Sequence, residues 1–313
     1  MALAHMELIR GLLNLRPRHQ GSVVTIGSFD GIHPGHQALI RRLLEHGERL
    51  HRPALMLTFE PMPREYVAAP APPARLTSWR ERWRVLQRTG LSYVLQLRFG
   101  ERLRNLSGEE FATLLARELK TPAVVIGHDF RFGRKGEATG PMLAAAGERL
   151  GFTVDVVPPV CIDGQRVSSS LIRGALERSD FATAERLLGR PYSMIGRVVR
   201  GDQLGRKLGF PTANLRLGRK RSPLHGIFAV RVRCLGGQNL LPGVASLGTR
   251  PTVGGTVPLL EAHVFDFDRD LYGREIEVEF VAKLRDEEHF ASLDALVKQM
   301  HIDAAQARAI LKC

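Results

Sequence analysis

The residues best suited to chemistry fall in glycine-punctuated turns and one serine run. The first turn reads Gly27-Ser-Phe29-Asp30-Gly31-Ile-His33-Pro-Gly35-His36. Gly27, Gly31 and Gly35 let backbone approach a phosphate closely. The helix expected to follow presents unpaired N–H groups and a partial positive charge at its start. His33 and His36 can donate hydrogen bonds to a phosphate and stabilise charge that grows on it during nucleophilic attack. An H-x-x-H pair can also bind zinc, but zinc would want further His, Cys or carboxylate ligands. An incidental loop is the plain alternative. A second candidate is Ser168-Ser169-Ser170-Leu-Ile-Arg173, just ahead of an expected helix. Three hydroxyls, a helix start and an Arg suit a triphosphate tail, although Ser before a helix is also ordinary capping. A third is Gly127-His-Asp129-Phe130-Arg-Phe132-Gly133. Its aromatics can stack on a ring and Asp129 can orient a ribose or a metal, while core packing of one Phe remains equally open.

The second half carries Gly201-Asp-Gln-Leu-Gly205-Arg206-Lys207-Leu-Gly209-Phe-Pro211-Thr212-Ala-Asn214. Its three glycines make a loop able to fold over phosphates, with Arg206 and Lys207 adding positive charge. Thr212 and Asn214 offer neutral oxygens of the kind that suit Mg²⁺, which keeps several waters. The pattern G-x-x-x-x-G-K-[ST] is absent, so this is not a P-loop, and an ordinary Gly-rich turn competes with the phosphate reading. Asp266, Asp268 and Asp270 have the spacing of an EF-hand start, but position 6 is Leu271 and no Glu closes the loop. A tight turn between strands is expected there.

The elements around these residues change character along the chain. Ser22–Gly27, Ala54–Phe59, Tyr93–Leu97, Ala123–Gly127 and Thr153–Val157 read as strands. Between them, residues 36–50 carry leucines at helical spacing, and Ser78 with Glu81 and Ser107 with Glu110 form capping boxes. Trp79 and Trp83, at i and i+4, are expected in the core. Strands alternating with helices predict an α/β, doubly wound parallel sheet, which binds ligands at the carboxyl ends of its strands. Pro61–Pro73 is expected to be a mobile loop near the site. After a linker at Leu187–Tyr192, the runs Ser193–Val199, Ile227–Val232, Leu260–Phe267 and Glu275–Phe280 predict an antiparallel barrel, closed by a helix over Ser292–Leu311. The expected domains are 1–187 and 193–313.

Bulk properties narrow the class. The 313 residues suit two domains. A net charge of +13 favours anionic partners. Its Arg residues are scattered, and the barrel half has two tyrosines and no Trp, so the basic-and-aromatic array of a nucleic-acid binder is missing. Cys161, Cys234 and Cys313 are odd in number and lack a C-x-x-C pair, which fits a reduced cytoplasm. Neither a secretory signal nor a membrane span is expected.

The string GSFDGIHPGHQ, with TFEP, RLTSWRERWRVLQ, GHDFRFG and VSSSLIR, resembles the FAD synthetase module of prokaryotic bifunctional riboflavin kinase/FMN adenylyltransferases. Independently, the PTAN string, PGVASLGTRPT and LEAHVFDFDRDLYG resemble the riboflavin kinase module, so the similarity runs from about Gly21 to Gln306. The resemblance implies a Greek-key kinase barrel, with ATP, riboflavin, FMN and FAD as partners and Mg²⁺ as cofactor. It implies that His33 and His36 serve the α-phosphate, and that Ser168–Ser170 with Arg173 serve the triphosphate. Glu261 is then the general base that takes the proton of the flavin ribityl 5′-hydroxyl; on residue type alone, a surface ion pair with an Arg is the competing reading. Phe130, Arg250 and Arg285 are the implied flavin contacts. Two departures stand out: Met62 replaces the usual His after the TFEP proline, and Glu137 replaces the usual Asp after GHDFRFG. The first raises the alternative of a kinase with a weakened adenylylation site. A basic nucleic-acid binder is the alternative from another class. A monomer or weak homo-oligomer is expected.

Overall fold

The computed structural model describes residues 6–201, 205, 208–234, 237, 239–252 and 255–313, with the backbone alone for 250–252 and 255–256. The chain divides into two compact units. One comprises Met1–Pro73 and Arg82–Val167, the other Ala74–Glu81 and Ser168–Cys313.

In the first unit the apolar runs form the expected parallel sheet. Its strands are β1 (Glu7–Arg10), β2 (Val23–Ile26), β3 (Ala54–Glu60), β4 (Tyr93–Arg98), β5 (Ala123–Gly127) and β8 (Thr153–Val157), in the order β1-β4-β3-β2-β5-β8. Two short hairpins, β6 (Arg131–Phe132) with β7 (Ala138–Thr139) and β9 (Cys161–Ile162) with β10 (Gln165–Arg166), extend from it. Every residue of β2 is buried, as a central parallel strand requires. From β2 the chain goes to β3 on one side and later to β5 on the other, which makes the end of β2 the switch point of the sheet. The helices are α1 (Pro34–Leu50), α2 (Pro63–Val67), α3 (Trp79–Leu86), α4 (Glu101–Arg104), α5 (Gly108–Arg117) and α6 (Gly140–Leu150), the first turn of α3 belonging to the other unit. Leu55, Leu57, Leu95, Val124, Ile126, Leu115 and Leu143 fill the core.

Three sequence expectations differ here. Edge strand β1 lies outside them, because four residues with Glu and Arg at their ends carry little alternation. The Pro61–Pro73 segment contains α2, which Pro63 starts. Trp79 and Trp83 are half-buried, whereas Glu81, Arg82 and Leu86 are buried. The face of α3 that packs inward is thus partly charged, and ion pairing permits it.

The second unit begins with α7 (Ser169–Glu177) and α8 (Phe181–Leu188) and continues into a closed six-stranded antiparallel barrel. Its strands are β11 (Ser193–Val199), β12 (Ala213–Arg216), β13 (Gly226–Cys234), β14 (Leu241–Thr252), β15 (Gly255–Val264) and β16 (Glu275–Arg285), in the order β11-β12-β15-β14-β13-β16. Phe181, Phe228 and Phe280 form an aromatic cluster, with Phe228 edge-on to Phe280 at 5.2 Å. The final helix α9 (Leu293–Leu311) starts at Ser292, whose hydroxyl accepts from the Ala295 N–H. It packs Ala307 against Ala229 and Phe265 of the barrel. Strands β12 and β14 escape the sequence reading, since the Gly and Pro around them spell turns. The three Asp residues do lie in a turn after β15: Asp266 has φ 53° and pairs with Arg308, and Asp270 accepts from the Tyr272 N–H. Among the described residues, no group of three or more His, Cys, Asp or Glu is placed to hold a metal.

Candidate functional sites

The His turn occupies the switch point. Gly27 follows β2 directly, and its N–H donates to Leu57 O. Phe29 and Ile32 adopt positive φ (51° and 45°) and are buried, and Gly31 has φ 88°. This strained path brings His33 to the N-cap of α1, where its Nδ1 accepts from the His36 N–H at 3.4 Å. The two imidazoles stack at 3.7 Å, and Phe29 lies 5.2 Å from His36. A Cβ at Gly35 would come within 3.1 Å of the His33 ring, so glycine is what allows the stack. No acid occupies the first turn of α1, which leaves its dipole available to an anion. Asp30 is buried in the same turn.

The His36 Nδ1 is closed to solvent and has no partner among the described residues. Burial, then the charges of His33 and Arg82, hold the His36 imidazole well below the usual range, so it is neutral at physiological pH. Arg82 was not singled out in the sequence. It is a buried cation whose Nη1 donates to Ser28 O at 2.8 Å and whose Nη2 meets the Glu60 carboxylate at 3.2 Å. It pins the His turn to α3 and adds positive potential beside His36. Its one sequence signal is its place inside RLTSWRERWRVLQ.

The other residues expected in this unit have mixed surroundings. Asp129, after β5, forms an ion pair with Arg166, which also reaches His128. Phe130 is half-buried and stacks on Phe132, itself packed on Phe111 of the core. Met62 is buried at the N-cap of α2, and its N–H donates to the Glu65 carboxylate.

Ser168, Ser169, Ser170 and Arg173 belong to the second unit. Ser168 caps α7 by accepting from the Leu171 N–H, Ser169 and Ser170 form the first turn, and no acid lies in that turn. Arg173 is half-buried, with its Nε donating to Ala74 O at 2.6 Å.

The barrel builds a second polar centre. Strand register sets Asn214 opposite Glu261, and Glu261 opposite Ser246, so the three side chains share one face. Thr212 precedes β12. Gly201 and Gly205 leave the space around the two oxygen donors: a Cβ at Gly201 would lie 2.7 Å from the Asn214 carboxamide, and one at Gly205 would lie 3.3 Å from the Thr212 hydroxyl. Neutral oxygens in a cradle that any Cβ would fill fit a hard divalent cation that retains water and phosphate ligands. Gly205 O accepts from the Phe210 N–H, and Gly209 has φ 84°, which closes the loop tightly.

Lys207 and the Arg250 side chain lie outside the described residues. Arg285 is clamped by the buried Asp303 through Nε and Nη2 (2.9 and 2.8 Å), donates to Asp286 O and lies over Phe290. The Asp303 carboxylate holds the guanidinium even more firmly cationic. In this arrangement Arg285 ties α9 to the barrel. Residues beyond the sequence reading also line this face: His263 meets Pro211 O and Phe210, and Ser246 donates to Glu287.

Comparison with known proteins bears on both centres. An FAD synthetase family model matches residues 15–171, and a riboflavin kinase model matches residues 188–311. The chain belongs to the bifunctional riboflavin kinase/FMN adenylyltransferase family. It is 46% identical over 305 residues to the member of that name from Escherichia coli K12, covering 97% of both chains. The Pseudomonas fluorescens member is 47% identical over 307 residues, covering 97% of this chain and 98% of the relative. A crystal structure described as a macrolide-efflux protein from Streptococcus pneumoniae superposes with a TM-score of 0.77 at 31% identity, over 97% of this chain and 98% of that one. Among the described residues, no helix is long and apolar enough to cross a membrane. The family's use of ATP in both reactions is consistent with a divalent metal.

Proposed function

We propose that the chain makes flavin cofactors in two ATP-dependent steps, phosphorylating riboflavin to FMN and then adenylylating FMN to FAD with release of pyrophosphate. The observation that carries this reading is that two different family models, an FAD synthetase and a riboflavin kinase, match non-overlapping stretches of the chain.

In the kinase step, Glu261 takes the proton of the ribityl 5′-hydroxyl as its oxygen attacks the γ-phosphorus of ATP, and ADP leaves. Thr212 and Asn214 would hold Mg²⁺, which supplies neutralisation of phosphate charge. Gly205 and Gly209 let the loop close over the nucleotide, with Lys207 adding positive charge, and Arg250 and Arg285 serve the flavin. In the second step, an FMN phosphate oxygen attacks the α-phosphorus of ATP and pyrophosphate leaves. His33 and His36, with the backbone of Gly27 to Gly35, stabilise the charge on that phosphorus. Ser168, Ser169, Ser170 and Arg173 hold the β- and γ-phosphates, Asp129 orients the ribose, and Phe130 packs on the flavin. The domain boundaries 1–187 and 193–313 and a cytoplasmic location accompany this reading.

Incubating the protein with riboflavin, ATP and Mg²⁺ and separating products by chromatography tests it. FMN should appear first and FAD second, and EDTA should stop both. Retention on an RNA column without flavin turnover would refute the reading.

A further inference from the structure

The segment Ala74–Glu81 groups with the barrel unit, and its irregular part, 74–78, makes no strand ladder. Its carbonyls are instead held by side chains. Arg173 Nε donates to Ala74 O at 2.6 Å. Arg219, from the β12–β13 connection, donates through Nη1 to Arg75 O and Leu76 O, both at 3.3 Å, and to the Tyr192 hydroxyl at 3.1 Å. Tyr192 in turn donates to Leu76 O. The other arm of Arg219 is fixed by Glu81, which accepts from Nη2 through both oxygens at 2.6 and 2.5 Å. Glu81 also accepts from the Ile195 N–H at 2.7 Å. Arg219, Glu81, Leu76 and Tyr192 are all buried.

A buried cation is tolerated here because a carboxylate faces its Nη2, and two backbone oxygens and the Tyr192 hydroxyl accept from its Nη1. The planar fork of Arg reaches several acceptors at once, which the point charge of Lys cannot do. Successive carbonyls of one irregular strip are therefore set by two arginines. One is the residue assigned above to the ATP triphosphate, and the other comes from the kinase barrel.

We propose that Arg219 is a positioning residue for adenylyl transfer: by fixing Ala74–Leu76 it fixes the backbone rest on which Arg173 orients its guanidinium toward the triphosphate. This rests on the reading of Arg173 as a triphosphate ligand. A barrel residue with no part in the proposed kinase step thereby tunes the other reaction.

Arg219→Lys tests it, because the lysine keeps a charge against Glu81 and so protects the fold. Both reactions are measured on the full chain, with Arg173→Ala and the Arg173→Ala/Arg219→Lys double variant alongside. The KM for ATP in FAD formation should rise about tenfold in Arg219→Lys, of the size expected for a displaced binding group. The kinase kcat and KM values should stay within about twofold of wild type on that same scale. Arg173→Ala should raise the same adenylylation KM, and adding Arg219→Lys to it should raise it no further, since the effect runs through Arg173. A merely structural role would lower both activities in parallel, and that result overturns the inference. So does an additive double variant, or an unchanged KM in Arg219→Lys while Arg173→Ala raises it. An unchanged KM in Arg173→Ala would instead overturn the reading of Arg173, and the inference with it.

Discussion

Adding one methyl at Gly201 should silence the kinase and leave the adenylyltransferase intact. A Cβ built at Gly201 meets the Asn214 carboxamide at 2.7 Å, roughly 0.8 Å inside ordinary contact between carbon atoms. Gly201 is outside the left-handed region, so Gly201→Ala imposes no backbone strain and isolates the clash. Asn214 has little room to retreat, being buried in β12 with Val199 and Glu261 as its register partners. A displacement of that size at a group that positions reactants costs on the order of 10²-fold in rate. The assay follows riboflavin to FMN over a range of Mg²⁺ concentrations, with FMN to FAD in parallel. The variant should lose about 10²-fold in kinase kcat/KM and need more Mg²⁺ for half-maximal rate. FAD formation from supplied FMN should be unchanged. A wild-type kinase rate would show that Asn214 does not position the reacting groups. A parallel loss of both activities would show that the methyl damages the unit as a whole.

The two centres should also separate by direct mutation. His36→Ala should abolish FAD formation and spare FMN formation, whereas Glu261→Gln should abolish FMN formation and spare FAD formation from supplied FMN; loss of both products in either variant would refute independent centres. A third expectation concerns pH. His36 is held below the range of a free imidazole, and in the unfolded chain it titrates at about 6.5. As pH falls below that value the unfolded state binds a proton that the folded state refuses, so this contribution lowers stability by up to about 1.4 kcal/mol per pH unit. Urea titrations between pH 7.5 and 5 should show that decline, and His36→Gln should flatten it. An equal slope in both proteins would place the cause elsewhere.

The parts of this molecule that could be read from its sequence are those governed by neighbours along the chain. Apolar runs gave the central strands β2, β3 and β5 nearly to the residue, and Ser107 with Glu110 formed the expected capping box. The pairing of Asn214 with Glu261 could not be read, because it depends on which strands meet and in what register. Strand β12 was itself hidden among the Gly and Pro residues that precede it. Tertiary pairing overrides local propensity at that point.

Buried charge marks the deeper limit. Periodicity in α3 points to Trp79 and Trp83 as the inward residues, yet the chain buries Glu81 and Arg82. Neither charge would be tolerated alone. Glu81 is acceptable because Arg219, 138 residues later, faces it, and Arg82 because Glu60 and Ser28 O receive it. A charged residue can therefore take a core position only when a partner distant in sequence arrives, and no local pattern announces the arrival. Such pairs contribute modestly to stability, since desolvation offsets much of their attraction. What they do supply is orientation. Arg82 fixes the turn that carries His33 and His36, and Arg219 fixes the strip that carries the rest for Arg173. The side chains proposed to bind phosphate stand out in the sequence because their chemistry shows in residue type. The arginines behind them do not, because on an amphipathic helix or in a basic run they look like solvated surface.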